Sequence, residues 1–432
     1  MNYIIGAGFI LEFLLVLFRP RWLVFVLLFT LIDPSRNFSL GNLELGGAIN
    51  IKYYEITLLM LYGAAVIHRR RPITRCLNIA LLVFVGCMTF SLINGLMHGY
   101  GQAAFNQYRT VLSIGMMVAI PLLYDNPSQL TPVYLFYFGA VSIMAVIEFT
   151  VTKFTVPWLS DWCRSDLRFT SMISATTGSF LVMVYFYGFS VLRTIRSFKI
   201  PAVIGMVWCL LAAILCSARS VWLGLIAGSA GLITLVEFQR KIILIVFMTL
   251  FGAMLFLLAG SFYIERYNTS LLGRFKVTFN TQEGSARWRI YAWTQMLEDI
   301  SYHPLVGWPL GSMPRFYVPG HHEYVAPHNE YLKIARYTGI PGLIVFIWFL
   351  ATVFVPALRY LHRHIFTNHY YEMMGLILCF GYHVVTSFFT QRFTAMDISP
   401  VVWMIPGIML LYLLTETPAE SSPESSPPAA VP

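Results

Sequence analysis

The chain has 432 residues, 57% of them hydrophobic and only 11% charged, with a mean hydropathy of +0.68. Soluble domains carry roughly 25% charged residues, so this composition excludes an ordinary soluble protein and points to a polytopic membrane protein with helical spans. The formal charge of +9 does not mark a nucleic-acid binder, because the basic residues collect in short breaks between apolar runs, at 69–71, 193–199, 240–241 and 359–364. The positive-inside rule makes those breaks cytoplasmic.

In chain order, the apolar runs fall at 3–18, 22–33, 54–68, 77–96, 111–124, 130–150, 171–192, 201–216, 221–236, 242–261, 340–357, 370–389 and 399–414. The first two are short and meet at Arg19-Pro20-Arg21, so they read as either a thin hairpin or one broken element. No small-residue cleavage site follows them, and no removed signal peptide is expected. Counting that pair either way gives about 12 transmembrane helices. The expected fold class is therefore an all-α polytopic integral membrane protein. Its parts are an N-terminal helix bundle over 1–261, one large, partly helical segment over 262–339, C-terminal spans over 340–414 and a disordered tail over 415–432. The tail, with its repeated Ser-Ser-Pro, has too little apolar surface to fold.

Alternation from the basic breaks places five segments on the opposite, non-cytoplasmic side: 34–53, 98–110, 151–170, the tight turn 217–220, and 262–339. Arg219, the loop carrying Arg164 and Arg168, and the large segment thus face one compartment. Five of the six cysteines lie in or beside apolar runs and Cys163 alone falls in a polar stretch, which implies neither a disulfide framework nor a cysteine metal site.

The polar segment holds the most suggestive chemistry. His328 follows Pro327 and precedes a helical pattern that ends at Gly339, with Pro341 beyond it, a normal helix stop. That reading puts His328 in the first helical turn. There the exposed amides and the dipole keep the ring neutral and able to take a proton near pH 7. The alternative is a structural histidine bonded to a loop carbonyl. His321, His322 and Glu323 with His328 could instead hold a metal, but the spacing matches no familiar motif.

Arg219 sits where one apolar run ends and the next begins. It is either an interfacial anchor or, being an arginine on the side that the charge bias disfavours, a ligand for an anionic lipid head. In 284–293, Arg289 and Trp293 share one helical face at i, i+4 while Arg287 points elsewhere. Arginine suits phosphate because its planar fork donates two parallel hydrogen bonds and stays charged. A solvated surface helix is the competing reading. No Asp-x-Asp or Asp-x-Asn pair lies on the outer side, so the usual carboxylate cage for a phosphate-bound Mg²⁺ is lacking. Walker, Gly-x-Ser-x-Gly and paired-carboxylate motifs are also lacking. No metal or other cofactor is expected.

At His328-Asn329, nine residues, Gly339, two residues, Gly342, the chain resembles the O-antigen ligase and polymerase superfamily. Arg289-x-x-x-Trp293 followed by His303-Pro304-Leu305-x-Gly307, and Ser217-x-Arg219-Ser220 ahead of a span, match further motifs of that superfamily. The resemblance covers about 216–342 and implies a GT-C-like, metal-independent, inverting glycosyltransferase at the periplasmic face of a Gram-negative inner membrane. Within it the expected activity is ligation, moving a glycan from undecaprenyl pyrophosphate to lipid A-core oligosaccharide. His328 would be the general base, Arg219 and Arg289 the pyrophosphate ligands, and Asn329, Arg287 and Arg168 secondary contacts. O-antigen polymerase and protein O-oligosaccharyltransferase share the donor and differ in acceptor. A transporter of the lipid-linked glycan would need the same basic vestibule but not the histidine.

Overall fold

A computed structural model of the chain describes residues 2–32, 43–45, 49–154, 175–194, 199–216, 218–236, 252, 284–313, 328–365, 367–395 and 398–416. The elements are α1 (Asn2–Phe18), α2 (Trp22–Ile32), β1 (Leu43–Leu45), β2 (Ile49–Ile51), α3 (Tyr53–Ile67), α4 (Ile73–Cys76), α5 (Ile79–Met97), α6 (Gly101–Tyr108), α7 (Met116–Leu123), α8 (Thr131–Phe154), α9 (Ala175–Thr194), α10 (Lys199–Leu215), α11 (Arg219–Leu235), α12 (Gly284–Tyr302), α13 (Glu330–Arg363), α14 (Asn368–Thr386) and α15 (Ser399–Glu416). The fold is helical. Among the described residues its β structure is one antiparallel ladder of three residue pairs, Leu43 opposite Ile51 to Leu45 opposite Ile49, inside the segment 34–53 between two apolar runs.

Among the described residues, four helical stretches are long and apolar enough to cross a membrane: Ile79–Met97, Pro127–Ile147, Glu330–Arg363 and Ser399–Glu416. Shorter apolar helices cover Trp22–Leu31, Tyr53–Ile67, Ser179–Gly188 and Ser220–Leu235. All of the run 242–261 except residue 252, and nearly all of the tail, lie outside the described residues. The first two runs form two helices joined by a tight turn at Arg19–Arg21. The run 111–124 is not one helix: a 3₁₀ stretch, Arg109–Gly115, precedes α7. Two close approaches accompany that break. Gly115 abuts the Tyr62 ring, whose hydroxyl donates to the Leu112 carbonyl at 2.6 Å, and Gly407 of α15 lies against the backbone of Met116 and Met117. Small residues permit such backbone contact where helices pack in lipid.

The bundle has two chemically different ends. At one, Arg21 pairs with Asp125 at 2.8 Å, and Arg71 donates to the carbonyls of Pro121, Tyr124 and Asp125 at 3.1, 3.0 and 2.7 Å. Helix α5 leaves that end after the 69–71 break and runs antiparallel to α13, with Asn78 bonded to Thr352 at 2.7 Å and Ser91 bonded to the Tyr337 carbonyl at 2.6 Å. Helix α14 likewise starts just after the basic break at 359–364 and reaches its far end at Thr386. The far ends of α5 and α14, the start of α13 and segment 303–313 meet at the end of the bundle opposite the basic residues.

Candidate active site

The N-terminal part of α13 organises this end. Its N-cap is Asn329, whose side-chain oxygen accepts from the Leu332 N–H at 3.0 Å, satisfying one of the amides a helix start leaves open. His328 therefore stands one residue before the cap, not in the first turn as the sequence predicted. Asparagine is the better capping residue and takes that position. His328 also has φ of 49°, a left-handed conformation that disfavours a β-carbon and recurs at functional sites. Its ring lies edge-on to Trp288 of α12, centroids 5.7 Å apart. Burial, and then the positive charge of Arg289, hold its imidazole below the usual histidine value. The direction is the expected one, but the causes are desolvation and a neighbouring cation, not the helix terminus.

Arg289 thus comes within electrostatic reach of His328 from the facing helix. One turn on, Trp293 meets Phe389 of the loop after α14, at 6.3 Å between centroids, so the Arg289 face of α12 covers that loop. The loop is itself tied to α13. Glu330, wholly buried, accepts from the N–H groups of Arg392, Phe393 and Thr394 at 2.9, 3.1 and 3.3 Å and from the Thr394 hydroxyl at 2.5 Å. The Glu330 N–H donates to the Ser387 carbonyl at 2.9 Å. Lys333 adds bonds to Thr394 at 2.8 Å and Gln391 at 3.3 Å.

The opposite face of the same short helix is fastened by the His-Pro-Leu-x-Gly segment. Gly339, at φ of 71°, breaks α13, and the backbone groups released there are taken up by 303–308. The Trp308 N–H donates to the Arg336 carbonyl at 2.6 Å and the Ile340 N–H to the Pro304 carbonyl at 2.7 Å. Gly307 (φ 75°) and Gly339 face each other with room for backbone alone, since a β-carbon on Gly339 would strike the Leu305 carbonyl. Arg336 completes the clamp, with Nε on Asp299 at 2.7 Å, Nη1 on the Ser312 carbonyl at 2.8 Å and the guanidinium over the Trp308 ring at 5.5 Å. Because Asp299 and Arg289 belong to one helix, this clamp fixes where Arg289 meets His328. Gly342 packs against Thr338 with no space for a side chain. The motif glycines are thus positioning residues.

Arg219 begins α11, after Ala218. Helix α11 runs antiparallel to α14, with Gly224 against Tyr382 and Thr386 and the Leu235 carbonyl bonded by the Tyr370 hydroxyl, so its first residue lies toward the loop after Thr386. The side chains of Arg219 and Arg287 are outside the described residues, as are Arg168, His321, His322 and Glu323. Sequence reasoning missed Glu330, Arg336, Asp299 and Arg392. For Arg392 the signal was present: like Arg219, it is an arginine in a break between apolar runs, 390–398, which the five segments given above leave out although alternation from the basic break at 359–364 puts it on the same non-cytoplasmic side.

No curated protein matches the chain. A family model described as O-Antigen ligase matches residues 204–347, a span that takes in the start of α11, all of α12, segment 303–313 and the histidine-bearing start of α13. Over that span the chain is similar to the O-antigen ligase family.

Proposed function

We propose that the chain is an O-antigen ligase of a Gram-negative inner membrane. It would cross the membrane about 12 times and transfer a glycan from undecaprenyl pyrophosphate to lipid A-core oligosaccharide on the periplasmic side. The observation that carries this reading is a half-buried histidine whose imidazole is kept neutral by burial and by Arg289, on a helix start clamped from two sides. A neutral imidazole can accept a proton, and a permanently charged guanidinium beside it can receive a departing phosphate.

In the reaction, His328 takes the proton of the acceptor hydroxyl as its oxygen attacks the anomeric carbon from the face opposite the pyrophosphate. The new glycosidic bond forms while the bond to the pyrophosphate oxygen breaks, so the configuration inverts. Undecaprenyl pyrophosphate leaves with the electron pair, its charge held by Arg289 and Arg219. The balance is closed without a metal. The bundle geometry supports the periplasmic placement, because the basic breaks and the histidine occupy opposite ends, and positive-inside bias puts the former in the cytoplasm.

Purified protein given lipid-linked glycan and, separately, a lipid A-core, a repeat-unit or a peptide acceptor tests this. Extension of the lipid A-core acceptor is expected. Extension of the repeat unit alone would make the chain a polymerase, and of the peptide alone a protein glycosyltransferase. A reporter fused near residue 310 should be periplasmic, and a cytoplasmic one would overturn the assignment of sides.

A further inference from the structure

Arg392 is 4% exposed, its Nε has no hydrogen-bond partner, and among the described residues no carboxylate pairs with its guanidinium. Its backbone N–H is committed to Glu330, which fixes where the side chain starts. Its charge acts instead on Tyr382 and His383, two residues at the far end of α14, and neither is an anion there. A buried lysine or histidine could relieve such a situation by losing its proton. Arginine cannot, because its guanidinium stays charged in proteins. A buried cation with no counter-ion is strongly unfavourable, so a fold that retains one has a use for it when an anion is present.

The position says which anion. Arg392 lies in the loop that Glu330 fastens to the start of α13, two residues from His328, and the Arg289 face of α12 covers the same loop through Trp293 and Phe389. Helix α11 packs antiparallel on α14, so its N-terminus lies toward the same loop. A planar fork of donors suits two phosphate oxygens. We propose that Arg392 is a third phosphate-binding side chain of this site, supplied by the loop between α14 and α15. The inference rests on reading the chain as a transferase with a prenyl pyrophosphate donor. A bilayer phospholipid offers the same phosphate chemistry, so the test separates the two.

Full-length protein in neutral detergent is titrated with farnesyl pyrophosphate, farnesol or phosphatidylglycerol, following affinity and the ligand-induced rise in Tm. The wild type should respond to farnesyl pyrophosphate and not to farnesol. Arg392→Gln should melt no lower than wild type without ligand and bind farnesyl pyrophosphate about 10- to 100-fold more weakly. Arg392→Lys, which keeps the charge and loses the fork, should fall between, and it decides the matter if the glutamine variant does not fold. Affinity within twofold of wild type in Arg392→Gln, with Arg289→Ala impaired, would overturn the proposal and leave the transferase reading standing. No pyrophosphate-specific response in the wild type would overturn both. A loss confined to phosphatidylglycerol would assign Arg392 to a bilayer lipid and not to the donor. An unliganded Arg392→Gln protein that melts far lower, with Arg392→Lys restoring Tm and affinity in full, would make the residue structural.

Discussion

Two buried arginines flank the short helix that begins α13, and their surroundings are opposite. Arg336, 2% exposed, has a carboxylate, a carbonyl, a hydroxyl and two aromatic rings as neighbours. Arg392, 4% exposed, has an unpartnered Nε and no counter-ion among the described residues. Burial alone therefore does not tell what a charge is for, because the cost of desolvation is the same for both and only one recovers it within the chain. The Arg336 side of the helix holds geometry, and the side of His328 and Arg392, where the Arg392 Nε lacks a partner among the described residues, is the open one that we assign to the reaction. Substitutions on the open side should lower turnover and leave the fold intact, and those on the closed side should do the reverse.

The largest separation should come from His328→Ala. A well-placed general base contributes about 10² to 10⁴-fold, so turnover should fall by that order with donor affinity little changed, because the arginines hold the phosphate. No hydrogen bond within the described residues is lost with the ring, only its edge-on contact with Trp288, so the melting temperature should stay near that of wild type. Loss of donor binding in proportion to turnover would make His328 a phosphate ligand or a structural residue, and the contrast between the two sides would collapse.

Arg336→Ala is the mirror experiment. Removing one partner from a buried ion pair leaves the other uncompensated and costs about 3–5 kcal/mol. Here Asp299 is about a quarter exposed, which places the loss toward the lower figure. The variant should melt well below wild type in detergent, while turnover per folded molecule falls much less. Asp299→Asn should show the same pattern more mildly. Full stability in both variants would remove the clamp from the account.

Gly339→Ala probes the same side through the backbone. A β-carbon there would meet the Leu305 carbonyl at a φ that disfavours side chains, and holding a residue in such a conformation costs on the order of 1–3 kcal/mol. The expected result is a lower melting temperature with an acid limb of the pH–rate profile like that of wild type. A wild-type melting curve would show that the 303–308 crossing yields without cost.

How much of this could be read from the sequence follows the same division. His328, Arg289 and the glycines stood out because they recur at fixed spacing in short motifs, and the helical periodicity after residue 330 with its stop at Gly339 was plain. Motif spacing cannot say what a residue does: the glycines clamp two segments backbone to backbone, and that is visible only once 303–308 is seen lying across the break. Glu330 was overlooked because a carboxylate at a helix start reads as an ordinary dipole partner, and its real partners lie some sixty residues away in the loop after α14. The pattern after Pro327 does not mark the first helical residue, and Asn329, the capping residue, leaves His328 just outside the helix. Apolar length in the 111–124 run carries no sign of a 3₁₀ stretch, and the strands of the β-ladder at 43–51, three residues each, are too short to show a period of two.

The smallest expected effect is also the most specific to the open side. Burial and the Arg289 charge both disfavour the imidazolium form of His328, so its protonation occurs below the ordinary value of about 6.5. If the neutral ring is the active base, the rate is steady above that region and falls as pH drops through the depressed pKa. Replacing Arg289 by glutamine removes one of the two causes and leaves burial in place. Protonation then becomes easier, and the acid limb should move to higher pH, toward 6.5 without passing it. Arg336→Lys, on the closed side, should leave the limb where it is. A limb that stays fixed in Arg289→Gln would mean that the titrating group is not His328 or that Arg289 does not act on it, and a limb that moves to lower pH would contradict the sign of the interaction.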